Sequence, residues 1–241
     1  MATHSLSDAS KSFLESIAAW QAALPRRLLS DMISQPERAA VLSMDMINGF
    51  CTVGALASPR VNALVPNITR LFSEAWQMGL RHIILTQDTH DPDAIEFEAY
   101  APHCIRGTVE AETIPEFKAL PFFDQLVIYE KNSISSNINT PLNDWITAHP
   151  EVDTWLLVGN CTDICVYQSA LYLRLQANEL RVHRRVIVAQ DCVNTYDLPV
   201  ETARSIGALP HDGDLLHTLF LYHMALNGVE VIQGYEYPPA L

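Results

Sequence analysis

The chain has 241 residues, 49% of them apolar, and a formal net charge of −13. This is long enough for one α/β domain with a well-buried core, and too apolar for a disordered chain. The acidic excess repels phosphates, which excludes nucleic acid and anionic membrane surfaces as partners, and no apolar run approaches the roughly 20 residues that span a bilayer.

The first residues, "MATHSLSDASKSFLESIAAW", show no basic stretch followed by an apolar one, so no secretory signal is expected. Asp8 and Glu15 count against a transit peptide. A cytoplasmic protein follows. Five scattered cysteines (Cys51, Cys104, Cys161, Cys165 and Cys192) are too few for a disulfide framework and are expected to be reduced thiols.

Residues 8 to 33 read as a helix. Ser7 or Asp8 can cap it, and Phe13, Leu14, Ile17, Ala18 and Leu24 form its apolar stripe before Pro25. The expected division is an N-terminal helical extension over 1–36 and one domain over 37–241.

Short apolar, β-branched runs then alternate with helical patterns. The runs are "AAVLSMD" (39–45), "HIILTQD" (82–88), "QLVIYEK" (125–131), "TWLLVGN" (154–160), "RVIVAQD" (185–191) and "VEVIQ" (229–233). Helical patterns lie at about 61–79, 139–148, 163–178, 199–207 and 213–227. Apolar residues on both faces of each run, with repeated βα alternation, predict a doubly wound six-stranded parallel sheet covered by helices on both faces. His211, His217 and His223 fall six apart, share no helical face, and read as surface or core histidines.

In that architecture ligands sit beyond the carboxyl ends of the strands, near a switch point. The strand-end residues Asp45, Asp88, Lys131 and Asp191, with the turn 159–165, are polar where the preceding residues are apolar. Cys165 falls in the first turn of the helix after the fourth run. Thr162 or Asp163 can cap that helix, and its N-terminus favours a thiolate. A strand-end Asp also serves as a cap or turn residue, a strand-end Lys as a solvated charge, and such a Cys as core packing. The functional reading rests on the three meeting above the sheet.

A second group is Asp88, His90 and His103 in "TQDTHDPDAIEFEAYAPHCIRGT". Asp-x-His puts two side chains on one side of an extended segment, and a later His completes an oxygen and nitrogen set suited to a divalent metal. The same stretch also reads as a polar loop with two surface histidines.

The motifs are similar to those of a known family. "SMDMINGF", "YEK" and "GNCTDICV" resemble the Asp, Lys and Cys motifs of the cysteine-hydrolase superfamily that includes nicotinamidases and isochorismatases. "NGFCTVGAL", "PHCIRGT", "CTDICV", "TYDLPVETA" and "LPHDGDLLHTLFLYHMA" resemble plant-type nicotinamidases, in the same order along residues 40 to 230.

The resemblance implies an isochorismatase-like, Rossmann-like three-layer fold and a catalytic triad of Asp45, Lys131 and Cys165. It also implies a cis peptide between Asn160 and Cys161, with an oxyanion hole from the backbone N–H groups of Cys161 and Cys165. Asp88, His90 and His103 would hold one divalent metal, zinc being expected and iron or manganese equally suited to such ligands. Phe50 and Tyr100 would line the substrate ring.

The implied reaction converts nicotinamide to nicotinate and ammonia through a cysteine thioester, with the metal orienting the pyridine. The alternative is another small amide (carbamoyl, ureido or pyrazinamide-like) on the same fold. A homo-oligomer is also implied. Two stretches depart from the plant-type pattern. "NSISSNINT" after Lys131 has no assignable match, and "EFEAYAPHC" puts Glu96 or Glu98 where those sequences carry a further His.

Overall fold

The structure is a computed structural model and describes residues 7–237. Eight strands are present among them: β1 (Arg26–Leu28), β2 (Ala39–Met44), β3 (His82–Asp88), β4 (Val127–Lys131), β5 (Thr154–Asn160), β6 (Arg185–Asn194), β7 (Glu230–Ile232) and β8 (Gly234–Glu236). Six form one parallel sheet in the order β4-β3-β2-β5-β6-β7. The chain enters the sheet at β2, builds outward through β3 and β4, then crosses back to β5. The switch point therefore lies between β2 and β5, where the family of doubly wound folds opens its ligand crevice.

Side chains along each strand alternate between two cores, as the pleat requires. Val41, Ile83, Leu85, Leu156, Val158 and Ile187 face one cluster, which helix Val65–Gln77 covers with Ile68, Leu71 and Phe72. Leu42, Met44, Ile84, Trp155, Leu157 and Val188 face the other. Helices Leu142–Ala148, Tyr167–Leu180 and Gly213–Leu226 cover it, contributing Ile146, Leu173 and Met224. The three-layer doubly wound architecture is the expected one.

The N-terminal segment departs from a continuous helix over 8–33. The helix runs Asp8–Ala22 and is capped by Ser7, whose hydroxyl accepts from Ser10 N at 3.1 Å. Pro25 ends the helical run, and Arg26–Leu28 pairs in parallel with Gly234–Glu236 as a two-stranded sheet. A single sequence segment gives no sign of a partner some 200 residues away, which is why periodicity missed this strand. The helix packs on Gly213–Leu226 through edge contacts of Phe13 and Trp20 with Tyr222, and Gln21 accepts from Thr218 at 2.8 Å. Of the closing stretch "YEYPPAL", residues 238–241 lie outside the described residues.

Candidate active site

Every strand-end residue singled out in the sequence, Asp191 apart, converges at the switch point. β2 and β5 approach so closely there that a Cβ on Gly159 would lie 2.1 Å from the Met44 carbonyl oxygen, and Gly159 has φ +106°. Only glycine fits. Asn160 Nδ2 then donates to the Asp45 carbonyl at 2.7 Å, and Asp45 N donates to Thr86 O at 2.9 Å, holding Asp45 at φ 54°.

The carboxylate of Asp45 is fully buried. Its Oδ1 accepts from Asp88 N at 2.9 Å, and its Oδ2 lies 3.0 Å from Lys131 Nζ. Lys131, also buried, contacts Asp88 Oδ1, donates to Ser133 O at 3.3 Å, and lies 3.9 Å from Cys165 Sγ. Asp45, Lys131 and Cys165 are therefore brought together.

The electrostatics follow from this geometry. Burial, and then the charge of Asp88, raises the Asp45 carboxyl to about 6, against the opposing pull of Lys131. Burial would lower the Lys131 ammonium, but the two carboxylates outweigh it and hold it well above the ordinary lysine range. The Cys165 thiol is pushed up by burial, and the facing carboxylates add to this against Lys131.

That reverses the expectation of a thiolate favoured by a helix N-terminus. Cys165 sits in a π-helical turn, Thr162–Val166, ahead of helix Tyr167–Leu180, and no side chain caps it. Thr162 Oγ1 instead pairs with His217 Nδ1 at 2.8 Å, and Asp163 Oδ2 with His211 Nε2 at 2.8 Å. His211 is itself stacked on Tyr196 at 3.8 Å. The thiol thus rests protonated beside a carboxylate that is largely ionised at neutral pH, the arrangement a general base requires.

The Asn160–Cys161 peptide is cis, as the resemblance implied. Ile164 N and Val166 N both donate to Cys161 O, at 3.0 and 3.1 Å, which wraps the turn around that residue. Among the described residues the Cys161 N–H meets no acceptor. The Cys161 thiol is raised to about 12 by burial, so it stays neutral.

On the other side of Lys131, Asp88, His90 and His103 are all buried, with ligand atoms within 4.8 Å of one another. His90 Nε2 lies 3.7 Å from Asp88 Oδ1, and His103 Nε2 lies 3.9 Å from Asp88 Oδ2. His103 Nδ1 faces the Ala101 carbonyl at 2.8 Å, and His90 Nδ1 faces Asn132 Oδ1 at 3.2 Å. Both outer nitrogens therefore act as donors, and both inner nitrogens offer lone pairs to the centre.

His90 Nε2 is buried with no hydrogen-bond partner, as a ligand atom aimed at an ion would be. Burial would raise Asp88, but the adjacent Lys131 ammonium holds it far below the usual carboxylate range. One carboxylate oxygen and two imidazole nitrogens fit a divalent ion.

Of the two glutamates flagged in the sequence, Glu96 approaches this centre. Its Oε1 is 3.7 Å from His90 Nε2, and its Oε2 accepts from Ile134 N at 3.1 Å. Glu98 is exposed. Phe50 and Tyr100 lie at 5.6 and 6.3 Å from the His103 ring. Phe97, which the sequence reading missed, packs against both histidines at 5.4 and 5.7 Å. Asn132, which opens "NSISSNINT", and Tyr196, within "TYDLPVETA", lie in stretches quoted above but are not singled out there, since their partners His90 and His211 are distant in sequence.

Residues 39–232 match the Isochorismatase domain family. The chain belongs to that family. It is 29% identical to Nicotinamidase 1 of Arabidopsis thaliana over 83% of this chain and 88% of that protein. N-carbamoylsarcosine amidase from Thermoplasma acidophilum has a similar fold. The TM-score is 0.62 at 25% identity, covering 83% of this chain and 98% of the other. Pyrazinamidase of Pyrococcus horikoshii in complex with zinc shares the fold at TM-score 0.61 and 22% identity, over 81% and 99%. In this isochorismatase-family protein, the described residues contain no helix long and apolar enough to cross a membrane.

Proposed function

We propose that this protein is a nicotinamidase, hydrolysing nicotinamide to nicotinate and ammonia through a thioester on Cys165. The observation that carries the reading is Lys131 Nζ. It lies 3.0 Å from Asp45 and 3.9 Å from Cys165 while contacting Asp88 of the ligand set. One ammonium thus joins a thiol–carboxylate pair to a metal-binding group, and Nicotinamidase 1 of Arabidopsis thaliana is a relative over most of the chain.

Asp45 Oδ2 takes the Cys165 thiol proton while Lys131 stabilises the thiolate as it forms. The sulfur attacks the carboxamide carbon. The backbone N–H groups of Cys161 and Cys165 receive the oxyanion, at about 3–4 kcal/mol per donor in other hydrolases. The carbon–nitrogen bond then breaks, and Asp45 returns its proton to the departing ammonia. Asp45 next deprotonates water, which attacks the thioester carbonyl, and the expelled thiolate recovers a proton as nicotinate leaves.

Asp88, His90 and His103 would hold a divalent ion that, when bound, supplies a Lewis-acidic anchor for the pyridine nitrogen. Zinc is the proposed ion. The ligand set suits it, and the pyrazinamidase of similar fold carries zinc. Phe50 and Tyr100, beside His103, would wall the ring, with Phe97 completing the aromatic face. Five buried free cysteines accord with a reducing, cytoplasmic setting, and a homo-oligomer is part of the proposal.

Ammonia release from nicotinamide by the purified, zinc-loaded protein tests the assignment. A panel including pyrazinamide and an N-carbamoyl amino acid separates it from the ureido reading that the likeness to N-carbamoylsarcosine amidase keeps open. Turnover of the ureido compound in preference to both pyridine-type amides would replace the proposed substrate.

A further inference from the structure

The sequence "RVHRR", Arg181 to Arg185, plays no part in the chemistry above, yet the fold gives it a setting of its own. A cavity of about 400 Å³ lies at the amino ends of β5 and β6, the opposite end of the sheet from Cys165. Arg174, His183, Arg184, Thr154, Gln35 and Asp153 are among the residues that line it.

Its charge balance is unlike that of the rest of the molecule. The chain carries 28 acidic residues against 15 lysines and arginines, so cations readily find carboxylates. Arg26, Arg38, Arg60, Arg70, Arg106, Arg185 and Arg204 each pair with one. Among the described residues five arginines pair with none, Arg27, Arg81, Arg174, Arg181 and Arg184, and the last three lie in or just after helix Tyr167–Leu180.

Of the three arginines that line the cavity, Arg185 pairs with Glu230, whereas Arg174 and Arg184 are fixed by neutral groups only. Arg184 Nη1 donates to Leu173 O at 3.1 Å and to Gln176 Oε1 at 2.7 Å. Arg174 Nε donates to Asn178 Oδ1 at 3.2 Å, and its Nη1 to Arg184 O. These bonds hold both guanidiniums in place and leave Arg184 Nε and Nη2 and Arg174 Nη2 without acceptors among the described residues. The carboxylate in the wall, Asp153, is already matched by Arg38 and accepts from Thr154 Oγ1 at 3.0 Å. Burial and the adjacent Arg174 both oppose the charge of Arg184, a conflict that a bridging anion relieves.

We propose that this cavity binds a phosphorylated small molecule whose phosphate is bridged by Arg174 and Arg184. Rigid guanidinium forks match phosphate oxygens bidentately, and a space of this size accommodates a small organic phosphate rather than an inorganic ion alone. The net charge of −13 weakens non-specific anion binding to the rest of the surface. Because the site lies at the amino ends of the strands, its occupancy leaves the thiol and the metal-binding group open.

The test is calorimetric titration of the full-length protein with inorganic phosphate and with a nucleoside 5′-monophosphate, at low ionic strength and again at 0.15 M salt. Saturable 1:1 binding is expected, tighter for the organic phosphate and weakened by salt. The Arg174→Gln/Arg184→Gln protein should lose at least tenfold in affinity while keeping its wild-type nicotinamide turnover. Arg174→Lys, which keeps the charge and loses the fork, should lose a smaller part and serves if the double variant does not fold.

Titration of Asp88→Ala separates this site from the metal-binding group, and binding there should persist. No saturable binding by the wild type overturns the proposal. So does binding that survives in both arginine variants, or binding lost in Asp88→Ala alone. Equal affinity for the inorganic and organic probes would overturn the organic-phosphate assignment.

Discussion

Asp45 Oδ1 accepts a 2.9 Å hydrogen bond from the backbone N–H of Asp88. The proposed base and the first metal-ligand residue are thus fixed to one another at the ends of adjacent strands. Lys131 spans their two carboxylates from the next strand out. Parallel register does this work, since Asp88 pairs directly with Lys131 and β2 pairs with β3 up to Met44. Three charges that are costly to bury singly are tolerable together because each meets its partner in a fixed geometry.

The pH dependence of turnover follows from Asp45. Burial and Asp88 raise its carboxyl to about 6, and it must be ionised to take the thiol proton. Below that pH the base is progressively protonated, so kcat/KM of the metal-loaded enzyme should fall about tenfold per pH unit through the acid limb. A profile flat from pH 7 to 4.5 would remove Asp45 from the base role.

Stability should carry a separate acid-dependent contribution from His217. Burial and Arg60 lower its imidazole to about 4, while the unfolded chain titrates near 6.5. Between those values the unfolded state binds the additional proton, so the contribution is fully present above 6.5 and is lost as pH falls towards 4. It amounts to about 3 kcal/mol across the interval. Denaturant melts of wild type and His217→Gln at pH 7 and 4.5 measure it. The variant should show the smaller difference between the two conditions.

Removing metal ligands should separate binding from nucleophile chemistry. His103→Ala should lower bound zinc and raise KM for nicotinamide tenfold or more, with Cys165 still open to slow alkylation. Glu96→Gln should have a smaller effect on zinc, since its Oε1 lies 3.7 Å from His90 Nε2 and its other oxygen holds Ile134 N. Metal analysis and kinetics on both variants check this. Unchanged zinc in His103→Ala would exclude that residue as a ligand.

Gly159→Ala should be among the most damaging single-methyl changes in the chain. The new Cβ would meet the Met44 carbonyl oxygen at 2.1 Å, on a backbone at φ +106°. β2 and β5 would have to separate where Asn160 Nδ2 donates to the Asp45 carbonyl, at a cost of about 3 kcal/mol or more. Thermal melts should show a large drop in Tm, and any folded fraction should be nearly inactive.

Much of this was legible in the sequence because it rests on local signals. Strand runs ending in Asp45, Asp88 and Lys131, and the Asp-x-His spacing, state both the fold and the residues that converge on it. What was not legible depends on distant partners. β1 needs Gly234–Glu236 to exist, and Glu96 was separable from Glu98 only once the turn placed one inward and left the other exposed. The Cys165 thiol was misjudged for the same reason. Helix position suggested a lowered pKa, whereas complete burial against Asp45 and Asp88 raises it, a balance set by strands far apart in sequence.

The central claim is covalent catalysis by Cys165, and acid-quenched intact-protein mass spectrometry during turnover of nicotinamide tests it most directly. A species heavier by one nicotinoyl group should appear, map to the peptide containing Cys165, and be absent from Cys165→Ala, which should retain its fold and lose about a thousandfold or more in kcat. Wild-type-like ammonia release by Cys165→Ala would contradict the thioester mechanism and leave the thiol a packing residue.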